Sequence, residues 1–88
     1  MYYVYVLRNL QSRLYVGYTP DNVIRRLGKH NRGEVISTKN YRPWRLIYFE
    51  GYLNRKDALG REKFLKSGSG RNYIKKQLNN FFNSVSIV

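Results

Sequence analysis

The chain has 88 residues, 17 Lys and Arg against 5 Asp and Glu, a formal net charge of +12, and no cysteine. That length holds one small domain, residues 1–88, near the limit at which a core sustains a fold unaided. The missing thiols exclude disulfides and thiolate metal centres as staples. The charge favours a polyanionic partner, with nucleic acid the leading candidate and an anionic membrane surface second. A membrane surface is disfavoured, because the basic residues are spread over every segment and do not line one amphipathic helix. No apolar run approaches the roughly 20 residues that span a bilayer. Met1 leads straight into an alternating pattern, unlike a signal peptide. The expectation is a soluble protein of the cytoplasm.

Tyr2–Leu7 and Leu14–Tyr18 are short runs of aromatic and β-branched residues joined by the polar stretch Arg8–Arg13. They predict an antiparallel hairpin. Five of the nine tyrosines fall in it, at Tyr2, Tyr3, Tyr5, Tyr15 and Tyr18. Tyrosine suits a strand, yet clustered phenols on a very basic protein also invite a chemical reading. Both stand at this point.

Thr19-Pro20-Asp21 predicts a helix start, with Thr19 as N-cap, Pro20 at the first helical position and Asp21 at the positive end of the dipole. Gly33 marks its end. Val23, Ile24 and Leu27 form its apolar stripe. Arg25, Lys29 and Arg32 face water, while Arg26 and His30, four residues apart, border the stripe on one edge. Glu34–Arg42 is polar and aperiodic. It reads as a mobile loop whose Ser37, Thr38, Lys39, Asn40, Tyr41 and Arg42 suit hydrogen bonding to phosphates.

Trp44–Leu53 reads as a third strand, apolar on both faces in its middle as a buried strand is. Asn54 caps a second helix, Arg55–Lys66. Ala58, Leu59 and Leu65 define its inward face, and Glu62 falls near the centre of that face with Lys66 beside it. A carboxylate there is costly unless a cation or several donors meet it. It is therefore either half of a buried ion pair or a metal-binding or catalytic carboxylate on a cleft floor. Ser67-Gly68-Ser69-Gly70 reads as a flexible break. A third helix follows over Arg71–Phe81, with Tyr73, Ile74, Leu78 and Phe81 at helical spacing. The tail from Phe82 to Val88 alternates and fits a frayed end, a packed arm or a short strand alike.

One histidine and no cysteine remove most zinc ligand sets. No motif surrounds a serine for Ser-His-Asp chemistry, and Gly68-Ser69-Gly70 lacks the lysine spacing of a phosphate-binding loop. Tyr3-Val4-Tyr5, followed ten residues after Tyr5 by Tyr15-Val16-Gly17, resembles the paired motif of the GIY-YIG nucleases. Arg25–Asn31 resembles that family's first-helix arginine motif, and Ala58–Lys66 its second-helix glutamate motif. Pro43–Glu50 is similar to the third-strand pattern of the small single-domain subgroup. The match covers residues 2–72, leaving 71–88 as a C-terminal helix and tail.

The resemblance implies an α/β (α+β) fold, a three-stranded antiparallel sheet flanked by about three helices. It implies a DNA endonuclease that uses Mg²⁺ or Mn²⁺ and serves DNA repair or processing. By position, Glu62 would hold the metal and Arg26 would contact the scissile phosphate. Tyr5 and Tyr15 would lie beside the attacking water, with His30 as a polar neighbour. Arg25, Lys29, Thr38, Lys39, Arg42, Lys66 and Arg71 would contact nucleic acid. A tyrosine base needs its pKa brought down from about 10, and Arg26, a metal ion and the positive field all act in that direction. His30, starting near 6.5, is the easier base if geometry allows. Taken singly, Tyr5 and Tyr15 also fit a cross-strand aromatic pair, and Arg26 with Glu62 an ion pair. Tyr3 departs from the family pattern, which has glycine there. The alternative function is a catalytically inactive DNA- or RNA-binding module on the same fold.

Overall fold

A computed structural model describes residues 1–86; the part of the tail reading that concerns Ile87 and Val88 lies outside the described residues. The hairpin forms as predicted, from β1 (Tyr2–Asn9) and β2 (Leu14–Thr19), antiparallel with Tyr5 opposite Gly17 and Leu7 opposite Tyr15. Asn9 builds its turn: the buried side chain accepts from the backbone of Gln11 and Arg13, and Ser12 takes the left-handed conformation at φ 65°. β3 (Trp44–Tyr52) pairs antiparallel with the other side of β1, which places β1 in the centre of a sheet ordered β2-β1-β3.

The alternation of β1 sorts its side chains onto two faces. Val4 and Val6, with Val16, pack against Ala58, Leu65 and Ile74 of the second and third helices. Tyr5 and Leu7, with Trp44, pack against Val23 of the first. Helices therefore cover both faces of the sheet, α1 (Val23–Asn31) on one, α2 (Arg55–Lys66) and α3 (Gly68–Gln77) on the other. None of the helices among the described residues is long and apolar enough to cross a membrane.

Several local expectations are corrected. The N-cap of α1 is Asn22, whose side chain accepts from Ile24 N at 2.8 Å and Arg25 N at 3.2 Å. Thr19 stays in the sheet opposite Tyr3, buried, and its hydroxyl accepts from Asp21 N to close the intervening turn. The helix thus starts later and turns its stripe: Val23, Leu27 and His30 face the sheet, while Ile24 is 63% exposed. β3 is an edge strand and is not buried on both faces, with Phe49 51% exposed.

The segment 34–42 is held in place. It contains a 3₁₀ turn at Lys39–Tyr41, and the buried Thr38 accepts the Trp44 indole N–H on its carbonyl at 2.9 Å. Ser67–Gly70, in turn, is a tight helix junction and not a flexible break. Ser67 ends α2 and caps α3, accepting from Gly70 N at 3.1 Å. The predicted third helix is also split at Leu78, whose φ −104° and ψ 31° leave the helical region, and α4 (Asn79–Ser86) follows. Leu78 and Phe82 then rest on the core beneath α2 and α3.

Gly70 lets the two helices meet. A Cβ built on it would stand 2.5 Å from the Leu65 Cα and collide with the Phe64 carbonyl, both backbone atoms that no rotamer change relieves. Gly70→Ala is expected to cost about 1–3 kcal/mol, a fall in Tm of at least about 4 °C for a domain of this size. Thermal unfolding followed by circular dichroism checks this, and an unchanged Tm contradicts the junction as described.

Candidate active site

Tyr5 lies in the central strand with its ring laid across the neighbouring Gly17. A Cβ there would run into the ring, at 2.9 Å from Cε2 and closer still to Cζ and the hydroxyl. The ring is 1% exposed, and its hydroxyl meets two residues of α1. Arg26 Nε donates to it at 3.3 Å, and it lies 2.8 Å from His30 Nε2. His30, 0% exposed, has its other nitrogen 2.8 Å from the Thr38 hydroxyl, which lies 3.4 Å from the Val35 carbonyl. Thr38 has one proton to give. With that proton on Val35 O, Thr38 accepts from His30 Nδ1–H, so Nε2 accepts the proton of Tyr5. A single directed chain results, running from Arg26 through Tyr5, His30 and Thr38 to the backbone.

Tyr15 borders this chain without joining it. Its ring centroid is 6.4 Å from Tyr5, 5.1 Å from His30 and 6.2 Å from Trp44. Among the described residues its hydroxyl has no hydrogen-bond partner. Asn31 pins the end of α1 to the start of β3, accepting from Trp44 N at 2.7 Å and donating to Trp44 O at 2.9 Å.

The electrostatics reverse one expectation. Burial pushes the Tyr5 phenol up to about 12; the Arg26 hydrogen bond opposes this, while Tyr15 and Glu62 add to it. Desolvation wins over the nearby cation. The positive surroundings do not lower this tyrosine. Burial, with Arg26 second, drives His30 down to about 4. His30 is thus neutral at pH 7, as the directed chain requires.

Glu62 sits on the other helical layer, close enough for its charge to act on Tyr5 but with no hydrogen bond to Tyr5, Arg26 or His30. Its Oε2 pairs with Lys66 Nζ at 3.2 Å, and its side chain is 21% exposed. Arg26 makes no ion pair among the described residues, so the Arg26–Glu62 pair is not formed. The rotation of α2 that presents Glu62 is set by the preceding residue. Arg61 donates to both oxygens of Glu50 at 2.9 and 3.0 Å, and the Tyr48 and Tyr52 hydroxyls each donate at 2.6 Å. Burial pushes the Glu50 carboxyl up, but those bonds outweigh it and hold it below the usual range.

The structure does not gather the expected nucleic-acid contacts into one patch. Thr38 is fully buried, so it positions His30 and does not reach a phosphate. Arg25 pairs with Asp21 at 3.1 Å, and Lys66 is held by Glu62. Lys39 and Arg42 are exposed on the 34–42 segment, where Arg42 Nε donates to the Lys39 carbonyl at 2.7 Å. Lys29 lies half-buried near the end of α1, and Arg71 lies on α3 beside the hairpin turn. Tyr3, the bulky departure, packs over Gly51 on β3 and edge-on to Phe49 at 6.1 Å, partly buried against the cluster that holds Tyr5. Sequence reasoning missed the Glu50–Arg61 clamp and the Thr38 and Asn31 contacts. Only Glu50 and Arg61, opposite charges on adjoining elements, carried a sequence signal.

Residues 1–79 match the family model of the GIY-YIG catalytic domain. The chain belongs to the GIY-YIG family. A UPF0213 protein of Pediococcus pentosaceus is 43% identical over 75 residues, covering 84% of this chain and 78% of that one. A UPF0213 protein of Haloquadratum walsbyi is 42% identical over 67 residues, covering 75% and 74%. The solution NMR structure of a UPF0213 protein from Bacillus halodurans matches with a TM-score of 0.53 and 32% identity, covering 92% of this chain and 85% of that one. The three-stranded antiparallel α+β fold of this GIY-YIG domain is thus shared with a solved relative. GIY-YIG domains are as a family nucleases that act on DNA.

His30 ties the GIY-YIG site to pH. Its pKa of about 4 in the folded chain, against about 6.5 unfolded, means the unfolded state binds the extra proton between those values. Stability is therefore full above pH 6.5 and falls as pH drops toward 4, with a slope approaching about 1.4 kcal/mol per pH unit. Urea unfolding between pH 6.5 and 5 is expected to show this slope, and His30→Gln to flatten it. Equal slopes in both proteins contradict the assignment.

Proposed function

We propose that this GIY-YIG domain hydrolyses phosphodiester bonds of DNA with a divalent ion, Mg²⁺ or Mn²⁺, at Glu62, and that it serves DNA repair or processing. The observation that carries the reading is the convergence of Tyr5, Tyr15, His30 and an Arg26 without an ion-pair partner, within reach of the charge of Glu62. The residues fit such an ion. Glu62 is partly exposed and has one carboxylate oxygen outside its ion pair. Among the described residues no cluster of three or more His, Cys, Asp or Glu forms a cage. One carboxylate with water and phosphate oxygens is the usual Mg²⁺ arrangement. When bound, the ion supplies charge neutralisation at the phosphoryl and leaving oxygens.

The chain's own groups do the rest. Arg26 spends Nε on Tyr5 and keeps its terminal N–H groups for a phosphate, a permanent charge aimed where negative charge develops. The free Tyr15 hydroxyl holds the water or a phosphate oxygen. Tyr5 passes the proton of the attacking water inward: its own proton moves to His30 Nε2 as its oxygen takes one from the water. His30 becomes an imidazolium whose Nδ1–H stays bonded to Thr38. At rest this transfer is uphill, with Tyr5 near 12 and His30 near 4. Burial is the larger cause of the low His30 pKa and Arg26 the smaller, so a phosphate seated on Arg26 makes the relay less uphill when substrate is present.

One observation favours the inactive DNA- or RNA-binding module, namely the Lys66 ammonium on Glu62 at 3.2 Å. Plasmid nicking separates the two. The proposal expects nicking with Mg²⁺ or Mn²⁺, reduced by at least about 100-fold in Glu62→Ala and in Arg26→Ala, and retained in Lys66→Met. Activity that persists in either of the first two variants, or binding without cleavage under both metals, overturns it.

A further inference from the structure

We infer that the groove between the hairpin turn and α3 is a second phosphate-backbone site, holding DNA beside the cleavage centre. The groove has a volume of about 420 Å³ and is lined by Ser12, Arg13, Leu14, Arg71 and Lys75. It brings together three cations that take part in none of the ion pairs among the described residues, which join Arg25 to Asp21, Arg32 to Glu34, Arg61 to Glu50 and Lys66 to Glu62. Cations sharing a concave surface without a carboxylate repel one another, and an anion relieves this.

The groove is also built in advance. The Arg13 guanidinium lies 4.0 Å over the Tyr41 ring. Asn9 holds the turn by accepting from the Arg13 backbone at 2.8 Å, and Arg8 donates to the Ser12 hydroxyl at 2.8 Å. Arg71 lines both this groove and a tight apolar cleft with Val6, Leu14, Val16, Leu65 and Ile74. Its stem is therefore anchored on the core while its charged end serves the groove. Lys75 follows one helical turn later on the same side of α3.

The position relates the groove to the site. Leu14 and Tyr15 are consecutive in β2, the free edge strand beside Tyr5. Leu14 belongs to the cluster under α2 and α3, and Tyr15 to the cluster under α1. A DNA strand with its scissile phosphate at Arg26 and Tyr15 passes around that edge and lays successive flanking phosphates along Arg13, Arg71 and Lys75, one to each cation. This path rests on the proposed DNA cleavage; the groove's affinity for DNA is measured apart from it.

The test is the salt dependence of binding to a short fluorescent DNA duplex, by anisotropy in EDTA so that cleavage plays no part. Removing one cation that neutralises a phosphate makes the slope of log K against log salt shallower by about 0.9. The double variant Arg71→Met, Lys75→Gln keeps the packing stem and should flatten that slope by about 1.8. The control Lys56→Ala, Lys63→Ala, at exposed positions of α2, should keep the wild-type slope. A wild-type slope in the groove variant, or an equal flattening in the control, overturns the inference. A nuclease whose groove variant keeps its slope refutes the groove alone. A protein that never cleaves but whose groove variant has the flatter slope refutes the nuclease reading alone.

Discussion

The Tyr5 phenol, laid on Gly17 and shared between Arg26 and His30, is the contact on which the candidate site depends. It joins the central strand to α1 and, through His30 and Thr38, to the segment leading into β3. A side chain on residue 17 would push the ring off β2, leaving Arg26 and His30 without their common partner. Burial of an unpaired imidazole nitrogen costs about 1–3 kcal/mol, so the network is either complete or costly. Its completeness comes from a fixed order of donors that ends on a backbone carbonyl.

Burial also decides the chemistry. A tyrosine beside an arginine in a protein of charge +12 would be expected to ionise early, but desolvation outweighs the cation and leaves both Tyr5 and His30 neutral. The resting site therefore carries its charge at the edges, on Arg26 from one helical layer and Glu62 from the other. Two clamps hold those layers, Asn31 around the Trp44 backbone and Arg61 on Glu50. Under the proposed hydrolysis, substrate and metal would bring their charge to these preset positions beside a neutral interior.

Much of this was legible in the residues. The hairpin followed from two alternating runs, and α2 from Asn54 and the spacing of Ala58 and Leu65. Glu62 stood out because a carboxylate on an apolar face needs an explanation. What was not legible depended on contacts distant in sequence. Thr19 and Asn22 are both good caps, and only the pairing of Thr19 with Tyr3 decides between them. Thr38 looked like one more polar loop residue until Trp44, six positions on, turned its carbonyl inward. The sign of the Tyr5 shift needed its burial, and Gly70 looked like flexibility because the crossing of α2 and α3 is invisible in a local pattern.

His30 is the single histidine of the chain, so ¹⁵N-edited NMR of the imidazole observes the centre of this network without overlap. The account predicts a neutral ring with the proton on Nδ1 from pH 8 down to pH 5 and a midpoint near pH 4. A midpoint near 6.5, or a proton on Nε2, would contradict the buried, directed chain from Arg26 to Thr38.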